Sequence, residues 1–198
     1  MLENTTELFI LFFASIFINN IILTYFLGLC PFIAVSKEIP TALGMGMAVI
    51  FVIVITMALN WPINHYILIP FKVEFLQFLV FIIVIATFVQ IVEIFIDRFS
   101  PVLYVSLGVF LPLITVNCAI LGIVLIATIR NYSYLESMAF ALGSGIGWAL
   151  AIIAMAGIRQ KLLFSKIPKG LQGPGITMII AGIMALAFMG FAGVLNIN

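Results

Sequence analysis

The chain has 198 residues, of which 65% are apolar and only 8% are charged. Soluble globular domains are about half apolar and a quarter charged, so this composition excludes a soluble globule and indicates that lipid is the main solvent. Eight lysines and arginines against seven carboxylates give a formal net charge of +1. This balance excludes the basic field of a nucleic-acid-binding protein and also an acidic tail.

Six apolar stretches are long enough to cross a hydrocarbon core, which takes about 20 residues of helix. They cover residues 8–35, 41–59, 74–96, 102–129, 138–157 and 175–195. Short segments with prolines, asparagines and most of the charge separate them, at residues 36–40, 60–73, 97–101, 130–136 and 159–174. We interpret those segments as loops. The predicted fold is an all-α membrane protein with six transmembrane helices.

The sequence also indicates an internal duplication. Residues 42–46 (ALGMG) recur as residues 141–145 (ALGSG), an offset of 99, and an asparagine of the first span falls on one of the fourth at an offset of 98. The predicted repeats are residues 1–99 and 100–198, with three spans each in a single membrane domain. Because three is odd, the second copy would enter from the opposite side, which makes the repeats inverted.

Basic residues near the span ends predict the orientation. The loops on one side carry six of them and the loops on the other side only Lys72 and Arg130. We therefore expect the first, third and fifth loops to be cytoplasmic and both termini to lie outside. The six are Lys37, Arg98, Arg159, Lys161, Lys166 and Lys169.

The first and fourth spans are too long for upright helices. Each has 28 residues, which would make about 42 Å of helix. Both also contain polar or helix-disturbing residues: Asn19-Asn20 and residues 28–31 (GLCP) in one, and Pro112 and Asn117 in the other. We predict that both helices are broken, as is tolerated at membrane depth where the freed backbone groups are buried or line a cavity.

Each broken span contains one of the two cysteines, Cys30 and Cys118. In straight helices they would lie near opposite faces of the membrane, so they can meet only if both spans are interrupted. Three interpretations stay open: inert packing between helices, which the residues alone favour, a disulfide, which the depths disfavour, and metal ligation. A plant-type two-iron cluster needs four thiolates, so a second polypeptide would have to complete it.

Five strings resemble those of one known family of membrane subunits. They are residues 26–32 (FLGLCPF), 34–37 (AVSK), 107–122 (LGVFLPLITVNCAILG), 143–148 (GSGIGW) and 185–190 (ALAFMG). The family comprises paired integral subunits of two complexes: the D-type and E-type subunits of the sodium-translocating NADH:quinone reductase (Nqr), and the A-type and E-type subunits of the Rnf complex. The similarity extends from about Phe12 to Val194.

This resemblance implies two homologous six-helix subunits of opposite orientation in the inner, cytoplasmic membrane of a bacterium, here with periplasmic termini. Each subunit would supply two cysteines to a shared 2Fe-2S cluster, and the matching ligands in this chain are Cys30 and Cys118. The cluster would carry electrons across the membrane between partner subunits with flavin and iron–sulfur carriers, coupled to Na⁺ or H⁺ movement. NADH, flavins and quinone would bind only those partners.

The strings are mixed between the two complexes. Asn19-Asn20, residues 29–32 (LCPF) and the short second loop resemble the A-type subunit of Rnf, whereas residues 115–120 (TVNCAI), 143–148 and 156–161 (AGIRQK) resemble the E-type subunit of Nqr. We interpret the chain as a subunit of a sodium-translocating NADH:quinone oxidoreductase. The alternative is the A-type subunit of an Rnf-type ferredoxin:NAD⁺ oxidoreductase. Alternatives of other classes are a small inverted-repeat secondary transporter without iron and a purely structural scaffold.

Few other residues suggest chemistry, and we expect no catalytic residue or substrate site in this chain, because no nucleotide fingerprint or nucleophile triad is visible. Glu93 and Asp97 lie one helical turn apart in the third span and are candidates for an ion pathway, although an interfacial pair beside Arg98 is the preferred interpretation. The single histidine, His65, is expected to be solvated in the second loop. Glycines of residues 44–46 and 143–147 are expected to allow close helix packing.

Overall fold

The computed structural model describes residues 2–71, 74–99, 111–162, 170 and 173–194, in which every regular element is a helix. The helices are α1 (Leu2–Phe17), α2 (Ile21–Tyr25), α3 (Leu29–Val35), α4 (Ile39–Ile63), α5 (Gln77–Phe99), α6 (Leu111–Thr115), α7 (Cys118–Ile129), α8 (Tyr134–Leu162) and α9 (Pro174–Val194). The predicted all-α class is confirmed for these residues. Lys72, Lys166, Lys169 and residues 102–110 of the fourth span lie outside them.

The helices have the length and surface of a membrane protein. Within the described ranges, four helical segments are long and apolar enough to cross a bilayer: Ile39–Phe71, Gln77–Ile94, Tyr134–Leu162 and Pro112–Ile129, the last interrupted at residues 116–117. Thr6–Phe17 and Pro174–Gly190 are shorter apolar helices. Large apolar side chains are exposed on the outside of the molecule, among them Phe51, Phe75, Ile94 and Leu186. Such a surface is favourable in lipid rather than in water.

The first predicted span is broken twice. After α1 ends, the Asn20 side chain accepts hydrogen bonds from the backbone N–H groups of Ile22 (3.2 Å) and Leu23 (3.5 Å) and so caps α2. α2 ends at Tyr25, and its C-cap Phe26 has a left-handed φ of 55°; Gly28 follows with a φ of 84°. These two residues turn the chain before α3 begins at Leu29.

The fourth predicted span is interrupted in a similar way. α6 ends at Thr115, and Asn117 then caps α7 by accepting a hydrogen bond from the backbone N–H of Ala119 at 3.0 Å. An asparagine therefore begins a new helix inside both predicted spans. The predicted breaks are confirmed in the described part of these segments.

The predicted loop at residues 60–73 is wrong, because the chain stays helical to Phe71. α4 passes Pro62 and continues through a wider π-helical turn, Asn64–Leu68, into Ile69–Phe71. The second proline of the segment, Pro70, follows this turn, and the carbonyl that its ring would otherwise meet, that of Tyr66, belongs to the turn. The segment is also tied to its neighbour, because the indole N–H of Trp61 donates to the Tyr132 carbonyl at 3.0 Å.

Two other predicted loops begin later than expected. α5 continues through Asp97 and Arg98 to Phe99, and α8 continues through Arg159 and Lys161 to Leu162. The basic residues that suggested loops, Arg98, Arg159 and Lys161, therefore lie in the last turns of helices, where cations interact favourably with the helix dipole.

The core forms around α8, which packs against α4 and α1. The contact with α4 is close because a Cβ added at Gly46 would lie 3.0 Å from Ala149 Cβ, and one at Gly145 would lie 3.3 Å from Ile50 Cγ1. The contact with α1 is closer still, as described below for Gly143 and Gly147. Close packing is confirmed for these glycines, whereas it is wrong for Gly44, which has no described atom within 4 Å of an added Cβ.

One polar contact links α8 to the first break. The Asn20 amide, which is 1% exposed, donates to the Gly147 carbonyl at 2.8 Å while its oxygen caps α2. We expect Asn20→Ala to lower the free energy of unfolding by about 1–3 kcal/mol, since it removes a helix cap and a buried hydrogen bond. Thermal unfolding of the detergent-solubilised chain measures this.

Asn19→Ala is the matched control for that substitution. Asn19 is the adjacent asparagine, and its side chain is only half-buried and makes no hydrogen bond to the described residues. We expect a change within about 0.5 kcal/mol. Equal destabilisation by both substitutions would contradict the role assigned to Asn20.

Candidate functional site

The two breaks meet at the cysteines. The backbone N–H of Gly28 donates a hydrogen bond to Cys118 Sγ at 2.9 Å. Gly28 lies two residues before Cys30, so its Cα is at most about 7 Å from that of Cys30. The structure therefore brings together the two cysteine-bearing segments, which straight helices would hold apart.

Local structure fixes where each cysteine lies. Cys30 is the second residue of α3, and Cys118 is the first residue of α7, directly after its cap Asn117. Pro31 follows Cys30 within the first turn of α3, where a missing N–H breaks no helical hydrogen bond. Each cysteine thus lies in the first turn of a helix that starts inside a predicted span.

Both thiols are free, and both cysteines are exposed on the surface of the chain. This exposure contradicts the interpretation that they are inert residues packed between this chain's helices. Two exposed apolar side chains accompany them, Phe26 (51% exposed) and Val116 (78% exposed). Each cysteine therefore lies on the surface of the chain within four residues of an exposed apolar side chain.

Gly28 packs closely against residues of α7 and α8. An added Cβ at Gly28 would lie 2.7 Å from Trp148 Nε1, 2.9 Å from Ala119 Cβ and 3.1 Å from Asn117 Oδ1. Trp148 is fully buried. Gly28 can therefore approach α7 and α8 only because it lacks a side chain, and this close approach places its N–H at Cys118.

Two of the side chains that pack against Gly28 carry buried hydrogen-bond donors. Trp148 Nε1 and Asn117 Nδ2 are buried and have no acceptor among the described residues. A buried donor without an acceptor lowers stability by about 1–3 kcal/mol. Both side chains lie against Gly28.

The other end of α3 is held by Arg159 of α8. Its Nη1 donates to the Ile33 carbonyl at 2.9 Å and to Ser36 Oγ at 2.8 Å. Sequence reasoning used Arg159 for the orientation, as the first residue of a loop and within a family string, but not as part of the site. A basic residue that caps a distant helix leaves no local signal, whereas the cap role of Asn117 could have been predicted from an asparagine before an apolar run.

The remaining candidates lie elsewhere. Glu93 is half-buried on α5, and Asp97 lies one turn later on the same helix, as predicted. Their role in an ion pathway stays a prediction. His65 lies in the π-helical turn rather than in a loop, exposed and stacked on Trp61 with ring centroids 4.9 Å apart.

The site offers a metal two soft ligands, the thiols of Cys30 and Cys118. No group of three or more histidine, cysteine or carboxylate side chains that could hold a metal occurs in the described part of the chain. Iron–sulfur clusters of the plant type are held by four thiolates. The site could therefore supply half of such a ligand set, and its exposure leaves room for the other half.

Comparison with known proteins identifies the family. A profile described as "Rnf-Nqr subunit, membrane protein" matches residues 8–195, nearly the whole chain. The chain belongs to the Rnf-Nqr family. The resemblance predicted from the sequence strings is thereby confirmed.

Named relatives come from both types of Rnf-Nqr complex. The chain is 46% identical to the A-type subunit of the ion-translocating oxidoreductase complex of Syntrophotalea carbinolica, over 94% of this chain and 97% of the relative. It is 49% identical to the E-type subunit of the Na⁺-translocating NADH-quinone reductase of Pseudoalteromonas translucida, over 93% of this chain and 96% of the relative. A protein of the same name from Aeromonas hydrophila is 51% identical, over 91% of this chain and 94% of the relative.

Proposed function

We propose that this chain is an integral membrane subunit of an ion-translocating oxidoreductase, and that Cys30 and Cys118 supply two of the four thiolates of a shared 2Fe-2S cluster. The hydrogen bond from Gly28 to Cys118 Sγ at 2.9 Å carries the proposal, because it joins the two cysteine segments at one place. The names of the relatives supply the class of complex.

The residues present fit such a ligand set. Both thiols are free and exposed, so a second polypeptide can bring its own cysteines to them. The Gly28 N–H already donates to one sulfur, and hydrogen bonds to cysteine sulfurs tune the reduction potential of iron–sulfur clusters. A bound cluster would accept and release one electron at a time at this point.

The partner that completes the site is proposed to be a homologous six-helix subunit of opposite orientation, of the Nqr D or Rnf E type. Both cysteines are exposed, as are Phe26 and Val116 near them in the sequence, and an integral membrane partner can cover exposed apolar side chains. NADH, flavins and quinone would be bound by other subunits. The proposed location is the bacterial inner membrane, with both termini periplasmic.

The inverted repeat is proposed together with this orientation. Its support is a pair of contacts between α4 and α8, Gly46 with Ala149 and Gly145 with Ile50. The offset of 99 residues between the halves relates Gly46 to Gly145 and Ile50 to Ala149, so it converts one of these contacts into the other. A two-fold axis in the membrane plane relates contacts in this way.

Between the two complexes, we propose the sodium-translocating NADH:quinone reductase, with this chain as its E-type subunit. The support is the strings around Cys118 and Trp148, and the relatives of that name at 49% and 51% identity. The A-type subunit of Rnf is the alternative, given a relative at 46% identity. Mass spectrometry of the intact complex decides, because a ferredoxin-like multi-cluster subunit indicates Rnf and an NADH-binding flavoprotein indicates Nqr.

The cluster is tested by replacing each cysteine in the purified complex. We expect Cys30→Ala and Cys118→Ala each to abolish one two-iron signal in the EPR spectrum of the reduced complex, together with its electron transfer, because three thiolates do not hold a plant-type cluster. Subunit content is measured on the same samples by mass spectrometry.

Val116→Ala is the matched control, since it changes an exposed neighbour of Cys118 and keeps both thiols. We expect it to retain the signal and the activity. An unchanged two-iron signal in either cysteine variant would refute the ligand assignment. Iron content near zero in an anaerobically purified complex would favour a transporter without iron instead.

A further inference from the structure

The short helix α3, which carries Cys30, is held at both ends by the second half of the chain. We propose that Arg159 is a positioning residue that fixes α3 and thereby holds Cys30 beside Cys118. The significance for electron transfer rests on the proposed function. The positioning itself rests on contacts within this chain.

α3 needs such support because of its length and its flanks. It has seven residues, and the left-handed residues Phe26 and Gly28 separate it from α2. Isolated helices shorter than about 12–15 residues are marginal even in favourable sequences. Its last carbonyls also lack helical partners, and lipid offers them no substitute donor.

Arg159 meets that need directly. Its Nη1 reaches the Ile33 carbonyl at 2.9 Å, one helical turn after Cys30, and the buried Ser36 hydroxyl at 2.8 Å just beyond the helix. A cation at a helix C-terminus is favourable because it opposes the negative end of the dipole. The guanidinium therefore fastens the last turn of α3 and the residue that follows it.

The anchor is rigid because Arg159 belongs to α8. That helix is buried near this end at Met155 and Ala156, and it also provides Trp148, which packs beneath Gly28 at the other end of α3. From Trp148 to Arg159, α8 rises about 16 Å, whereas α3 is about 10 Å long. α8 therefore provides a contact at each end of α3, Trp148 at Gly28 and Arg159 at Ile33 and Ser36.

The test measures the proximity of the two thiols without iron. The full-length chain is produced in membranes without partner subunits and treated with a short thiol-to-thiol cross-linker. The reaction is unambiguous because Cys30 and Cys118 are the only cysteines. We expect efficient cross-linking in the unsubstituted chain and a rate at least about tenfold lower in Arg159→Ala, which loses both charge-assisted hydrogen bonds to α3 and Ser36.

Three further variants make the result specific. Arg159→Lys keeps a cation with several donors and is expected to restore most of the rate, and Ser36→Ala is expected to lower it about threefold. Arg130→Ala is the matched control. Arg130 follows the C-terminus of the other cysteine helix, α7. Its Nη1 donates to the Tyr132 hydroxyl at 3.0 Å, and its guanidinium also interacts with Tyr25 of α2 rather than with α3. We expect no change there.

In the purified complex, we expect Arg159→Ala to lower the intensity of the two-iron EPR signal at unchanged subunit content, and Arg159→Lys to restore it. Cross-linking of Arg159→Ala at the unsubstituted rate, or no cross-linking in the unsubstituted chain, would overturn the proposal. If Arg159→Ala fails to accumulate, the Ser36→Ala and Arg159→Lys rates decide. An EPR signal that survives Cys30→Ala would refute the cluster but leave the cross-linking result valid.

Discussion

Replacing Gly28 by alanine is expected to destabilise the chain strongly and to separate Cys118 from the segment of Cys30. The φ of 84° at Gly28 disfavours an L side chain by about 1–2 kcal/mol. The new Cβ would also meet Trp148 Nε1 at 2.7 Å and Ala119 Cβ at 2.9 Å, and overpacking of this kind costs about 1–3 kcal/mol more. Because Trp148 is fully buried, it has little room to move away.

Two measurements check this prediction. Thermal unfolding of the solubilised chain should show a loss of about 2–5 kcal/mol in the free energy of unfolding. The rate of thiol cross-linking between Cys30 and Cys118 should fall at temperatures where the variant is still folded, because the Gly28 N–H must move away from Cys118 Sγ.

Gly173→Ala is the matched control for Gly28→Ala. Gly173 has a similarly left-handed φ of 97°, but no described atom lies within 4 Å of an added Cβ. We expect it to show only the conformational cost of about 1–2 kcal/mol and to leave cross-linking unchanged. If both variants lose the same stability and cross-link equally well, the contact of Gly28 with Trp148 is not what places the cysteine segments.

The breaks in the first and fourth spans could be predicted because their causes are local. An asparagine before an apolar run signals a helix start, and 28 apolar residues exceed what an upright span needs. The same local reasoning failed at Pro62, where the chain stays helical to Phe71. A proline signals disruption, but the sequence does not show that the helix continues past it or that a hydrogen bond from Trp61 to Tyr132 ties this segment to its neighbour.

The sequence alone could predict the approach of the two cysteines only conditionally. The residues alone required both spans to be broken before Cys30 and Cys118 could approach, and family resemblance then supplied the pairing. The contacts that produce it join residues far apart in the chain, such as Gly28 with Cys118 and Arg159 with Ser36. Hydrophobic periodicity carries no information about such contacts.

Substitutions at Gly143 and Gly147 are expected to have the second large effect, because they would push α1 away from α8. An added Cβ at Gly143 would lie 2.7 Å from the Phe12 carbonyl oxygen, and one at Gly147 would lie 2.8 Å from that of Ile16. Both obstacles are backbone atoms, so no side-chain rotation can relieve them. Displacement of α1 would also strain the 2.8 Å hydrogen bond from Asn20 to Gly147.

We expect Gly143→Ala and Gly147→Ala each to lower the free energy of unfolding by about 1–3 kcal/mol, as overpacked sites do. The double variant is expected to fail to accumulate in the membrane. Thermal unfolding of the solubilised single variants and immunoblotting of membranes measure these effects. Alanine also stabilises a helix interior by up to about 1 kcal/mol relative to glycine, and the expected destabilisation is what remains after this gain is subtracted.

Gly44→Ala separates packing from helix propensity, because Gly44 corresponds to Gly143 at the offset of 99 residues. It also lies inside a long helix, α4, yet no described atom is within 4 Å of its added Cβ. Only the propensity gain applies there, so the variant should be as stable as the unsubstituted chain or more stable by up to about 1 kcal/mol. If Gly44→Ala destabilises the chain as much as Gly143→Ala, the close approach of α1 to α8 is not the reason that Gly143 must be small.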